Sequence, residues 1–188
     1  MMPMLGFRDA SRWRAWLARN HRSAEGIWLK IGKKGSAKPS VTYAEALDEA
    51  LCFGWIDGQK KSHDAQAFLQ KFTPRRSRSV WSKRNIAHCE RLVAAGRMEP
   101  AGQAQIEAAK ADGRWAQAYD PPSRATPPED LLRALARNRR AREFFEALDR
   151  ANRYAITWRL QTAKRPETRA RRLRTFVEML ASGRKIHP

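Results

Sequence analysis

YAEALDEALCFGWIDGQKKSHDAQAFLQKFTPR, residues 43–75, decides the fold. At 100° per residue, Tyr43, Ala46, Leu47, Ala50, Leu51 and Phe53 fall within one arc of about 160°, which predicts a helix buried along one side. Glu45, Asp48 and Glu49 lie opposite that arc. Thr42 followed three residues later by Glu45 is a capping-box signature, and Gly54 is a stop signal. GWIDGQKK and QAFLQKFTPR then predict a hairpin turning near Ser62–Ala65. A helix feeding an antiparallel hairpin, with no regular strand–helix alternation, predicts an α+β fold: a small antiparallel sheet covered by helices.

Outward from this stretch, Asp9–Asn20 places Trp13, Trp16 and Leu17 at helical spacing, and GIWLKIGKK (26–34) reads as a strand. Downstream, Pro74 stops the second hairpin strand. Ser79 is the expected N-cap of a helix running to about Ala95, and Pro100–Asp112 is a further helix ending at Gly113. Four prolines between 121 and 128 forbid regular structure. The expected organisation is an N-terminal α+β domain (1–119), a Pro-rich linker (120–128) and a helical C-terminal domain (129–188). Within the last, helices are predicted over Glu129–Asn138, Arg139–Asp149, Ala151–Ala163 and Pro166–Ser182.

The 188 residues carry 38 Lys and Arg against 19 Asp and Glu, a formal charge of +19. Residues 129–188 hold 16 basic and 7 acidic residues and the remainder 22 and 12, so both parts are strongly positive. Anionic partners are therefore expected: an anionic small molecule such as a phosphate ligand, an acidic protein, nucleic acid or an anionic membrane surface. The same charge argues against capture of cationic peptides. No apolar run reaches the roughly 18 residues of a spanning helix. MMPMLGFRDASRW lacks a signal-peptide pattern, and the two cysteines form no C-x-x-C pair. A cytoplasmic protein without disulfides is expected.

The candidate site is FTPRRSRSVWSKRN (72–85). Six basic residues and no acid lie between Lys71 and Arg84, around one Trp, where a strand ends and a helix begins. Helix starts expose unpaired N–H groups, so added cations point to anion binding. The cluster of Arg75, Arg76, Arg78, Lys83 and Arg84 reads either as a solvated basic loop or as an anion pocket, with the arginines as bidentate clamps and Ser79 and the first backbone N–H groups as neutral donors. Trp55 and Trp81 read first as core, and as stacking platforms if a rim exposes either ring. Asp57 is expected to pair with an arginine of the 75–78 run, or to orient a ligand beside it. Asn85, inside an apolar arc, reads as a hydrogen-bonded amide tying down the preceding loop.

Cys52, Cys89, His63 and His88 lack metal-ligand spacing, and no nucleophile elbow, P-loop or dinucleotide fingerprint occurs. Neither metal nor cofactor is expected. A non-enzymatic anion-binding protein is the leading reading. The alternatives are an enzyme acting on a phosphate- or carboxylate-bearing small molecule, and a nucleic-acid-binding protein.

Several blocks, in order, resemble the bacterial family described as bacteriocin-protection, YdeI or OmpD-associated. They are YAEALDEALCFGWIDG, TPRRSRSVWSKRN, GRMEPAG (96–102), GRWAQAY (113–119) and the stretch from FFEALDR (144–150) to GRK (183–185). The resemblance spans about residues 40–183. It implies a role in protection against bacteriocins or antimicrobial peptides and brings no catalytic residues with it.

Overall fold

The computed structural model describes residues 2–188 and is α+β. Its elements in chain order are β1 (Met4–Gly6), α1 (Ala10–Asn20), β2 (Ile27–Gly32), α2 (Tyr43–Cys52), β3 (Trp55–Ser62), β4 (Ala67–Pro74), α3 (Lys83–Ala94), α4 (Pro100–Ala111), α5 (Glu129–Ala136), α6 (Arg139–Ala147), α7 (Arg150–Gln161) and α8 (Pro166–Ala181). They form two compact units. The first comprises the described residues up to Ser79 with Asn85–Ala116, the second Val80–Arg84 with Gln117–Pro188.

In the first unit the sheet order is β1-β2-β4-β3. The β3–β4 hairpin is antiparallel, β4 pairs antiparallel with β2, and only the short β1 runs parallel, to β2. The hairpin turns where Asp64 Oδ1 accepts the N–H groups of Gln66 (2.8 Å) and Ala67 (2.7 Å), an Asx turn in place of a backbone one. The expected capping box of α2 is present. Thr42 Oγ1 accepts from Glu45 N–H, and Glu45 Oε2 accepts from Thr42 N–H at 2.8 Å.

One sheet face buries Ile27, Leu29, Ile31 and Phe72 against an aromatic cluster from α1 and β3. Trp13 meets Trp55 edge-on with ring centroids 6.4 Å apart, and Trp16 meets Trp55 edge-on at 5.8 Å. Both indoles buried in this cluster find an acceptor: Trp13 Nε1 donates to Ala46 O (3.0 Å) and Trp55 Nε1 to His21 O (3.1 Å). Gly102 is where α4 touches the end of α2. A Cβ there would stand 2.3 Å from the Cys52 carbonyl oxygen, so only glycine permits this approach.

The acidic face of α2 is not a solvent face. Glu49 is 4% exposed, takes Arg14 Nη1 at 2.7 Å and also pairs with Arg97. Arg14 reaches on to Glu99. Asp48 accepts from His88 Nδ1 (2.7 Å) and, with both oxygens, from Arg91 Nη2 (2.7 Å), joining α2 to α3.

The second unit packs α5–α8 around Leu131, Leu135, Phe145, Ile156, Leu160, Phe176 and Leu180. All four helices lie within two residues of their predicted limits. Asn138 and Asp149 cap α6 and α7 by accepting N–H groups three residues on. Arg169 grips Asp130 with two parallel bonds of 2.7 and 2.9 Å and donates a third to Leu160 O. No helix among the described residues is long and apolar enough to cross a membrane.

Burial alone would raise the Asp48 carboxyl, but the bonds from Arg91 and His88 outweigh it and hold the group below its ordinary value of 3.8. A depressed folded-state value stabilises above the unfolded one and is lost as pH falls through the folded one. Asp48→Asn is therefore expected to cost about 1–3 kcal/mol in urea unfolding at pH 7. The gap between variant and parent should narrow steadily as pH drops below about 4.

Candidate functional site

The second unit holds a cleft of about 990 Å³ whose lining carries cations and aromatic rings and no carboxylate. One wall is a face of α7. Arg150, Tyr154 and Trp158 follow at intervals of four, with Ala151, Ala155 and Arg159 one residue on, so they form a continuous strip. The small alanines keep the strip open between the larger side chains. The opposite wall comes from Pro121–Ser123, Arg84 and His187.

The wall positions are fixed by hydrogen bonds. Arg150 Nη2 donates to Pro122 O at 3.2 Å, Arg159 Nη1 to Ala155 O at 3.1 Å and Tyr154 Oη to Asp120 O at 3.4 Å. Pro121 O accepts from the N–H groups of Arg124 and Ala125, folding the start of the Pro-rich stretch into a turn. Tyr119 meets Trp158 edge-on at 6.0 Å. Asp120 is engaged by Lys83 Nζ (2.8 Å) and Gln161 Nε2 (3.3 Å), outside the lining. Burial, with smaller contributions from Tyr119 and Asp120, pushes the Tyr154 phenol up to about 12, so it stays neutral and able to donate.

Asn152, 1% exposed, supports the cleft from behind. Its Oδ1 accepts from Ile186 N–H (3.0 Å) and His187 N–H (2.9 Å), and its Nδ2 donates to Asp149 (2.7 Å) and His187 O (3.3 Å). One buried amide thus secures both the cap of α7 and the tail that carries His187.

The 72–85 stretch is arranged differently from its sequence reading. The helix begins at Lys83 rather than Ser79, because Ser79 closes a turn: its Oγ accepts from Arg76 N–H (3.2 Å) and its N–H donates to Arg76 O (2.9 Å). Arg114 Nη1 occupies the Ser79 carbonyl at 3.1 Å. Arg75 is 6% exposed, whereas Arg76 and Arg78 face solvent. Trp81, 2% exposed, lies beside a short bridge, its carbonyl accepting from Tyr119 N–H at 3.0 Å. Lys83 pairs with Asp120. Trp55 is in the aromatic core, and Asn85 is buried in α3. Asp57 accepts from Tyr43 Oη at 2.7 Å, so its partner is a phenol and not an arginine of the 75–78 run.

The sequence reading missed Arg150, Tyr154, Trp158 and Arg159. Their signal was the four-residue spacing of an arginine and two aromatics at the start of and along the predicted 151–163 helix. The first unit has another concavity, of about 730 Å³, lined in part by Arg8, Lys30, Lys38 and Asp64. There Asp64 already pairs with Lys30 at 3.2 Å, which offsets its positive charge. Both thiols are buried. Desolvation raises Cys52, with the Glu49 charge adding to it, and lifts Cys89 to about 12, so neither is a thiolate at neutral pH. Among the described residues no group of three or more His, Cys, Asp or Glu is placed to hold a metal ion.

A family of domains of unknown function (DUF8412) matches residues 5–105, more than half of the chain. The chain belongs to that family. Residues 124–183 match the family described as bacteriocin-protection, YdeI or OmpD-associated. Thus β2–β4 and all of β1 but Met4 fall within the DUF8412 match, as do Trp55, Asp57 and the 75–85 stretch. The α7 strip of the cleft falls within the YdeI/OmpD-associated match, whose 60 residues cover a shorter part of the chain than the sequence resemblance did. No curated protein and no solved structure matches the chain.

Replacing Asn152 with Leu fills similar volume but removes the acceptor for two backbone N–H groups. Urea unfolding should register a loss of about 1–3 kcal/mol per group left unpaired. The tail at 186–187 should exchange its amide protons faster in the variant.

Proposed function

We propose that this YdeI/OmpD-associated protein is a non-enzymatic cytoplasmic binding protein whose helical unit holds an anionic ligand bearing a flat ring. The observation that carries this reading is the cleft lining: Arg84, Arg150 and Arg159 surround Trp158 and Tyr154, with no carboxylate among them. A guanidinium has five N–H donors in a planar fork, and the bonds of Arg150 and Arg159 to carbonyls each use one. Anchored in this way, the forks are oriented before a phosphate or carboxylate arrives, so less side-chain entropy is lost on binding. Trp158 and Tyr154 offer ring faces, and the Tyr154 hydroxyl, whose one proton goes to Asp120 O, holds its ring in place.

The protection named in the family description fits this reading in one direction. A body of charge +19 repels cationic peptides, so protection would run through an anionic ligand or acidic partner.

Calorimetric titration with adenosine 5′-monophosphate, inorganic phosphate and adenosine separates the contributions of anion and ring. The nucleotide should bind more tightly than either part. The double variant Arg150→Ala, Arg159→Ala should lose at least about tenfold in affinity, one or two charge-assisted bonds. The pair Arg76→Ala, Arg78→Ala should bind as the parent does. Equal affinity of parent and cleft variant, or loss only in the 76/78 pair, would return the site to the 72–85 loop.

A further inference from the structure

The sheet of the first unit has a second face, independent of the cleft. Residues directly opposed in a ladder point the same way, so the registers give two cross-sheet rows on this face. One row is Gly6, Lys30, Leu69 and Lys61, the other Met4, Trp28 and Lys71. The core residues Ile27, Leu29 and Ile31 point the opposite way. Met4 is 51% exposed, Lys30 and Lys61 are exposed, and Trp28 is half-buried. Lys61 Nζ lies 4.4 Å from the centroid of the Trp28 ring. Neither row contains a carboxylate, and Asp64 at the hairpin turn pairs with Lys30 at 3.2 Å.

We infer that this face binds single-stranded nucleic acid, with Trp28 stacking an unpaired base, Lys61 and Lys71 meeting the adjoining phosphates, and Lys30 exchanging its solvent-exposed pair with Asp64 for a further phosphate. Three cations around one indole on an open sheet supply both attractions that an unpaired strand offers: charge along its backbone and exposed base faces. A duplex offers only the charge, because its bases are stacked inside. A base settling on Trp28 takes the place of the Lys61 ammonium, which then turns to a phosphate. An acidic protein would satisfy the lysines and leave the indole without a use.

The test is anisotropy of a fluorescein-labelled oligothymidylate of about 20 nucleotides, titrated with the full chain from about 50 to 300 mM salt. Lys30→Gln, Lys61→Gln, Lys71→Gln together should flatten the log–log salt slope by about 2, since each single-strand phosphate contact contributes about 0.7. A control triple, Arg171→Gln, Arg174→Gln, Arg184→Gln, removes as much exposed charge from α8 and its end and should leave the slope unchanged. Trp28→Leu should weaken binding about tenfold; if it melts abnormally, the lysine and control triples decide alone. Unlabelled duplex should compete at least tenfold less well than single strand. The lysine triple should bind adenosine 5′-monophosphate as the parent does, which keeps this test separate from the cleft. Equal loss in both triples, equal competition by duplex, or parental affinity in a well-folded Trp28→Leu would overturn the inference.

Discussion

The first unit depends on a carboxylate that is almost out of water. Glu49 sits on α2, and its two oxygens hold Arg14 of α1 and Arg97 of the segment between α3 and α4. A carboxylate removed from solvent with no partner would cost several kcal/mol, so the three elements are stable only when they meet together. The arginines keep part of their surface in water, which reduces the desolvation that a wholly buried pair would incur. Asp48, one residue earlier, joins the same helix to α3 through His88 and Arg91. With α2 held on two sides, Gly54 turns the chain directly into β3. The hairpin, and through β4 the rest of the sheet, inherits its position from there.

The second unit solves the corresponding problem with neutral and bidentate groups. Asn152 is a buried amide with both ends of its side chain satisfied, and Arg169 clamps the first turn of α5 through Asp130. These contacts leave one face of α7 outside the hydrophobic cluster, and the cleft is built on that face. Rigid support and cationic side chains therefore come from different residues: Asn152 and Arg169 hold the backbone, while Arg150 and Arg159 project into the cleft. Such a division lets charge accumulate in the cleft without self-repulsion being relieved by movement of the helix.

Local signals in the sequence were accurate where one element decides its own structure. The Thr42–Glu45 box, the stop at Gly54, the Pro100 start and the four C-terminal helices needed only propensity, capping and periodicity. Errors arose where a competing partner took over. Ser79 carries the right side chain for an N-cap, but the turn back to Arg76 uses that oxygen first, and helix formation waits until Lys83. Asp57 found Tyr43, fourteen residues away, in preference to a nearby arginine. Periodicity alone sends Glu49 to solvent, because it cannot see that Arg14 and Arg97 will cover it. β1 is three residues long and lacks alternation to detect. The α7 strip was legible in its spacing, yet its opposite wall comes from positions 84, 121–123 and 187, which only the fold brings together.

The most direct test of the anion-binding reading is a crystal soaked in tungstate, a tetrahedral oxyanion that is located by its anomalous scattering. The expected result is a peak in the α7 cleft with oxygens at about 2.7–2.9 Å from the guanidinium nitrogens of Arg150 and Arg159, the range of charge-assisted bonds. Strong peaks confined to the exposed Arg76–Arg78 turn, with the cleft empty at the same occupancy threshold, would contradict it.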